Sequence, residues 1–126
     1  MTFKTRAAVV GTTVLTAVTL TAGIANADTT APYARAAAVV TADGKLLHGK
    51  NTSVSRPKAG TYCVKVLDPE IKLANAAILA TLTNDYGQIL TLGTPHPSCG
   101  NAADTILVMT SSNNSAADKA FTIAVL

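Results

Sequence analysis

The chain has 126 residues, a formal net charge of +3, two cysteines, three tyrosines and no tryptophan. Its basic residues form no run and its tyrosines are scattered, so the composition lacks the pattern of a nucleic-acid-binding surface. It also lacks a basic amphipathic helix of the kind that lies on a membrane surface.

The N-terminal segment has the three parts of a secretory signal peptide. Lys4 and Arg6 form a basic start, residues 7–24 are an uncharged apolar run, and Ala25-Asn26-Ala27 places small residues where signal peptidase reads them. We therefore predict cleavage after Ala27 and secretion of residues 28–126 as one domain, without stable membrane insertion afterwards. A transmembrane anchor is the alternative, because the apolar run is nearly long enough to span a bilayer.

After a polar lead, the first third of the exported chain predicts strands and turns. The alanines of residues 35–41 suit a helix, but Val39 and Val40 favour a strand. Asp43-Gly44 then predicts a hairpin turn, since both residues tolerate a positive φ. The segments that follow are a return strand, a polar edge strand and a turn, over residues 45–49, 51–56 and 56–60.

Residues 60–67 show the clearest alternation in the chain. Tyr62, Val64 and Val66 point one way, whereas Cys63 and Lys65 point the other way. This pattern is typical of a strand that lays one face on a core.

The second half continues as short apolar segments. Residues 70–75 suit a helical turn or a loop, and residues 76–83, apolar on both faces, suit a central strand or a buried helix. Further strands are predicted over residues 88–92, 104–111 and 121–126, separated by an irregular segment (93–101) and a polar loop (112–119). Seven or eight strands without a convincing helix predict an all-β fold, a small antiparallel sandwich or jelly roll.

The two cysteines of an exported chain predict one disulfide, Cys63–Cys99. Closing that loop contributes about 4 kcal/mol in the chain-entropy model. A reactive thiol is the alternative.

No residue pattern points to catalysis, a cofactor or a metal. The two histidines, His48 and His96, lack metal-ligand spacing, Glu70 is the only glutamate, and no Gly-x-Ser-x-Gly nucleophile elbow is present. We therefore expect no enzyme.

Two rigid polar segments are candidate binding loops. One holds Arg56 and Lys58 around a proline, and the other holds Pro95, His96 and Pro97. Exposed loops on a β-scaffold often carry binding residues. The alternative is that both segments are simply turns.

The exported chain resembles an uncharacterised β-sandwich module of secreted actinobacterial proteins that also occurs with fibre-like stalks. The residues that carry the resemblance are Ala42–Leu47, Val54–Arg56, Gly60–Val64, Ala80–Leu82, Val108–Thr110 and Asp118–Val125. The resemblance implies the sandwich fold and no catalytic residues. Residues 93–97 are also loosely similar to a loop of the streptomycete subtilisin-inhibitor family, although those inhibitors carry two disulfides.

The leading hypothesis is a non-enzymatic, secreted β-sandwich that binds or assembles at the cell surface or in the medium, with an unidentified protein or glycan partner. Strands that are apolar on both faces (Leu79, Leu107, Met109, Leu126) suggest self-association, for instance as a trimer. The alternatives are a small inhibitor of an extracellular hydrolase that uses the loop at His96, and a small secreted hydrolase.

Overall fold

Antiparallel strands make up about half of residues 31–126, which is the part of the chain that the computed structural model describes. The strands are β1 (Ala36–Val40), β2 (Leu46–Lys50), β3 (Thr52–Lys58), β4 (Thr61–Val66), β5 (Ile78–Leu82), β6 (Gln88–Leu92), β7 (Thr105–Ser112), β8 (Ser115–Ala116) and β9 (Phe121–Val125). Two 3-10 turns, Leu73–Asn75 and Pro97–Cys99, are the helical elements of this part. The predicted signal peptide lies outside the described residues, and no described helix is long and apolar enough to cross a membrane.

The strands form two sheets that face each other. Sheet I has the order β2-β1-β9-β5, and sheet II has the order β3-β4-β7-β6, with the two-residue strand β8 also paired to β7. Every pairing is antiparallel. The predicted all-β sandwich is therefore confirmed, with nine strands rather than seven or eight.

Alternation along the four central strands builds the core. In β4, Tyr62 and Val64 are fully buried, and in β7 the same holds for Ile106 and Val108. Strands β1 and β9 of sheet I bury every second residue in the same way. Because a strand turns successive side chains to opposite faces, each of these strands supplies one complete row to the space between the sheets.

The outer face of sheet II is also partly buried, because the irregular segment 93–101 folds over it. The 3-10 turn within this segment contacts β4 and β7. Leu107 points to the outer face, yet only 1% of it is exposed. The predicted disulfide is confirmed: Cys63 in β4 is bonded to Cys99, with their Cα atoms 5.7 Å apart. The disulfide thus holds this segment on the sheet.

Several details differ from the sequence-based expectations. β5 is an edge strand of sheet I rather than a central strand or a helix, and it exposes 57% of Leu79. β3 continues through Pro57 to Lys58, so the turn is confined to Ala59 and Gly60. An edge strand accommodates this proline because it need not donate a hydrogen bond there, and the pairing with β4 is irregular at this point.

The hairpin between β1 and β2 also differs in detail. The Gly44 N–H donates to the Thr41 carbonyl at 2.9 Å. Gly44 has the expected positive φ of 89°, whereas Asp43 does not. Within this hairpin, only position 44 requires a glycine, since a positive φ strains residues that carry a Cβ.

Candidate functional site

Arg56, predicted as a binding-loop residue, forms an ion pair with Asp118. Its Nη1 lies 3.2 Å from Oδ2 of Asp118. The other carboxylate oxygen of Asp118 accepts the Gly60 N–H at 2.7 Å. Arg56 thereby joins edge strand β3 to the segment before β9, whereas Lys58 is exposed and has no ion pair among the described residues. Of the two basic residues, Arg56 therefore contributes to the fold, and a binding role for either residue stays a prediction.

A buried polar network lies at the same end of the sandwich. The Tyr62 hydroxyl donates to the Ala42 carbonyl at 2.6 Å and accepts the Lys119 N–H at 3.1 Å. Burial raises the pKa of Tyr62. Lys119 itself, which lies in the segment predicted as a polar loop, is 6% exposed. This network joins the two sheets and serves the fold rather than a ligand.

The ammonium group of Lys119 meets Asp85 in the turn between β5 and β6. The Nζ–Oδ2 distance is 3.1 Å. The backbone N–H of Tyr86, and then the Lys119 ammonium, lower the pKa of Asp85. Asp85 is therefore a carboxylate at neutral pH, and its charge is balanced by a buried cation.

The loop with Pro95, His96 and Pro97 lies against sheet II. Both prolines are exposed and His96 is half-buried. Nδ1 of His96 accepts the Ser98 N–H at 3.1 Å, which caps the 3-10 turn Pro97–Cys99. A protease inhibitor of the reactive-loop type would present an extended loop. The loop at His96 instead leads into a 3-10 turn, and Cys99 holds that turn on the sheet through the disulfide. The inhibitor hypothesis remains a prediction.

A shallow cleft of about 340 Å³ lies on the outer face of sheet II, and its lining includes none of the predicted binding-loop residues Arg56, Lys58, Pro95, His96 and Pro97. Pro57 lies on one wall, and Ser98 and the disulfide lie on the other. The remaining lining is mostly polar (Ser53, Val54, Ser55, Lys65 and Thr105).

A larger cleft, of about 600 Å³, lies at the end of the sandwich away from Tyr62. Ile71 and Leu73 contribute apolar surface to it, and Lys72 and Asp104 contribute charges of both signs. Neither cleft has an aromatic side chain among its described lining residues, so neither offers a ring on which a sugar could stack.

The described residues offer no constellation for metal binding. Among residues 31–126, no three His, Cys, Asp or Glu side chains are grouped closely enough to hold a metal ion. The two histidines lie on different sheets, since His48 is in β2 and His96 precedes the 3-10 turn on sheet II.

One flank of the sandwich is almost free of charge, and this is the most distinctive surface of the molecule. Residues 73–103, which include β5 and β6, contain a single charged residue, Asp85. Within this stretch, β5 and β6 are edge strands that contact each other across the sandwich, so the two strands together form one flank. We call the flank formed by β5 and β6 the uncharged side.

Apolar groups are exposed on the uncharged side. Leu79 in β5 is 57% exposed and Leu90 in β6 is 53% exposed. Leu92 and Met109 extend the apolar surface from Leu90 across the outer face of sheet II, since Leu90 pairs with Met109. Inward-facing side chains of the same two strands are only partly buried (Ile78, Ala80, Leu82 and Ile89).

The opposite flank, formed by β2 and β3, has a different character. It carries His48, Lys50, Arg56, Pro57 and Lys58 on or beside its edges. Charged residues and proline on an edge strand discourage pairing with another chain. The sequence shows the near absence of charged residues over residues 73–103. It does not show that this stretch contains two edge strands of one flank, which the structure shows.

Comparison with known proteins provides no assignment. No protein-family model, curated protein or solved structure matches the chain.

Proposed function

We propose that the protein is a non-enzymatic, secreted β-sandwich module that works by assembly with other protein surfaces, chiefly further copies of itself, at the cell surface or in the medium. One observation carries the proposal: the uncharged side combines two unprotected edge strands with exposed leucines, and its single charge is paired with Lys119.

Depletion of charged residues is the compositional mark of the central part of a protein–protein interface. A flank without charges is also one that two identical molecules can bring together without repulsion between like charges. The opposite flank carries Lys50 and Lys58 on its edge strands, and such charges discourage pairing of an edge with another chain. The uncharged side is therefore the surface best suited to association between copies.

The extracellular setting is supported by the disulfide, which persists in oxidising compartments. It is supported independently by the signal-peptide pattern of residues 1–27. Export also explains why a small domain is stabilised by a covalent link.

Native mass spectrometry of the protein purified from culture medium tests this proposal. The spectrum reports the mature N-terminus, the disulfide and the oligomeric state together, and sedimentation velocity at several concentrations measures the association. We expect oligomers whose population increases with protein concentration and does not fall as salt is added, because the interface carries no unpaired charge.

Variants locate the surface. Leu79→Lys with Leu90→Lys should abolish association, whereas Leu47→Lys should not, although Leu47 is at least as exposed (61%) on the opposite flank. A wild-type protein that stays a monomer at every concentration, or association that Leu47→Lys abolishes, would contradict the proposal.

A further inference from the structure

We infer that β6 pairs antiparallel with β6 of a second copy across a two-fold axis at Leu90, which would join the two copies of sheet II into one continuous sheet. This inference rests on the proposed function and specifies its geometry. It derives from the backbone hydrogen bonds that β7 makes, from the side chains that the pairing would bring together, and from the lack of charge on β6.

The backbone groups of β7 point alternately to its two neighbours. The Thr110 N–H donates to the Gly60 carbonyl at 2.9 Å, on the β4 side. In an antiparallel sheet alternate residues bond to opposite neighbours, so Leu107, Met109 and Ser111 direct their backbone groups to β6. Their partners in β6 are Leu92, Leu90 and Gln88.

The two remaining residues of β6, Ile89 and Thr91, therefore direct their N–H and C=O groups away from β7. No strand in the described part of the chain pairs with that edge. Four backbone groups in a row are thus available to a further strand, on a segment with no charge and no proline. Such an edge is a template for pairing unless something covers it.

Self-pairing of β6 satisfies these groups in a specific register. With Leu90 on the two-fold axis, Ile89 of each copy lies opposite Thr91 of the other, and both residues point their backbone groups at the partner. All five residues of the strand then take part. The two Leu90 residues form the non-hydrogen-bonded pair, whose Cα atoms are about 4.5 Å apart in such ladders.

On the outer face, the pairing brings exposed leucines together at the two-fold axis. Leu90 meets Leu90, and Leu92 of one copy lies opposite Gln88 of the other. Met109, 40% exposed and next to Leu90 in sheet II, extends the apolar contact on both sides of the axis. Strand β5 has a free edge as well, but its exposed leucine, Leu79, has threonine and alanine neighbours on the outer face of sheet I (Thr81, Thr122 and Ala124). β6 therefore offers the larger self-complementary apolar surface.

Cysteine cross-linking of the full exported protein tests the register. A Leu90→Cys variant should form a disulfide-linked dimer under mild oxidation, because a Cα separation of about 4.5 Å lies within the range that a disulfide bridges. Leu79→Cys is the matched control, since Leu79 is similarly exposed (57% against 53%) but lies on β5. Peptide mapping confirms in each case that Cys63–Cys99 is intact.

A second pair of variants tests whether the two-fold axis lies at Leu90. Gln88→Cys and Leu92→Cys should cross-link when the two proteins are mixed, and neither should cross-link efficiently with itself. In sedimentation, Leu90→Lys should raise the dimer dissociation constant by about tenfold or more, because it removes the leucine contact on the axis and places two like charges directly opposite each other.

The outcomes separate this inference from the broader proposal. Wild-type oligomers that are trimers, or that cross-link through Leu79→Cys and not through Leu90→Cys, would overturn the β6 pairing and leave self-assembly standing. A wild-type protein that never associates would overturn both. Capture of a strand from a different protein at β6, with no dimer formed, would also overturn the inference.

Discussion

The hydroxyl of Tyr62 is a sensitive probe of how the two sheets are joined. Tyr62 is fully buried, and its ring packs edge-to-face on Phe121 with centroids 5.0 Å apart. Its hydroxyl satisfies the Ala42 carbonyl and the Lys119 N–H. Replacement by phenylalanine removes this oxygen and retains the ring.

The expected cost follows from the two backbone groups that lose their partner. A buried polar group left without a hydrogen bond costs about 1–3 kcal/mol. Lys119 is buried and Ala42 is half-buried, so Tyr62→Phe should lower the free energy of unfolding by about 2–4 kcal/mol. For a domain of this size that corresponds to a decrease in Tm of about 10–25 °C.

Urea unfolding followed by circular dichroism measures the effect. Tyr33→Phe and Tyr86→Phe are matched controls, because these side chains are 94% and 92% exposed and should change stability little. A loss below about 0.5 kcal/mol for Tyr62→Phe would show that water replaces the hydroxyl or that the network is not formed.

The contribution of Tyr62 to the free energy of unfolding should also depend on pH. Because burial raises the pKa of Tyr62 above the ordinary value of 10.0, its protonated form is favoured in the folded state. Its contribution to stability is fully present below about pH 10 and is lost as the pH rises through the folded-state pKa. The stability difference between wild type and Tyr62→Phe should therefore narrow above pH 10, and a constant difference would contradict this account.

Two further predictions concern the backbone and the disulfide. Gly60 and Gly100 have nearly equal φ angles of 71° and 72°, but a Cβ on Gly60 would lie 2.7 Å from the Thr110 carbonyl oxygen, whereas one on Gly100 meets nothing within 4 Å. Gly60→Ala should thus destabilise the fold by about 3 kcal/mol or more and Gly100→Ala by about 1 kcal/mol; equal losses in thermal unfolding would refute the steric argument. Replacing Cys63 and Cys99 by alanine opens a loop of 36 residues and should cost about 4 kcal/mol in urea unfolding, so a loss under about 1 kcal/mol would contradict the chain-entropy estimate.

Most strands were predictable from the sequence because each has a local signature. The alternation of Tyr62, Val64 and Val66 predicted β4 and its buried face, and both are confirmed. The same holds for β9, where Phe121, Ile123 and Val125 are buried. The pairing of the only two cysteines followed from their number and is also confirmed.

The predictions that failed depended on what lies beside a segment. Residues 76–83 are apolar on both faces, which suggested a central strand, but β5 lies at an edge and leaves Leu79 exposed. Lys119 lies in a polar segment whose sequence does not predict burial. It is buried because its backbone N–H bonds to the Tyr62 hydroxyl and its ammonium group bonds to Asp85. The contact of Arg56 with Asp118, 62 positions away in the chain, likewise has no signature in the sequence, and a binding role for Arg56 stays a prediction.

For the candidate interaction surface too, some properties follow from the sequence and others only from the tertiary structure. The amino-acid sequence by itself determined the alternating strands, the cysteine pair and the charge gap over residues 73–103, since these are local or compositional properties. Only the tertiary structure decided that β5 and β6 are edges on one flank, that Ile89 and Thr91 direct their backbone groups outward, and that Asp85 is neutralised by Lys119. The order of strands in a sheet depends on contacts between residues distant in the chain, and the alternation within a strand carries no information about its neighbours.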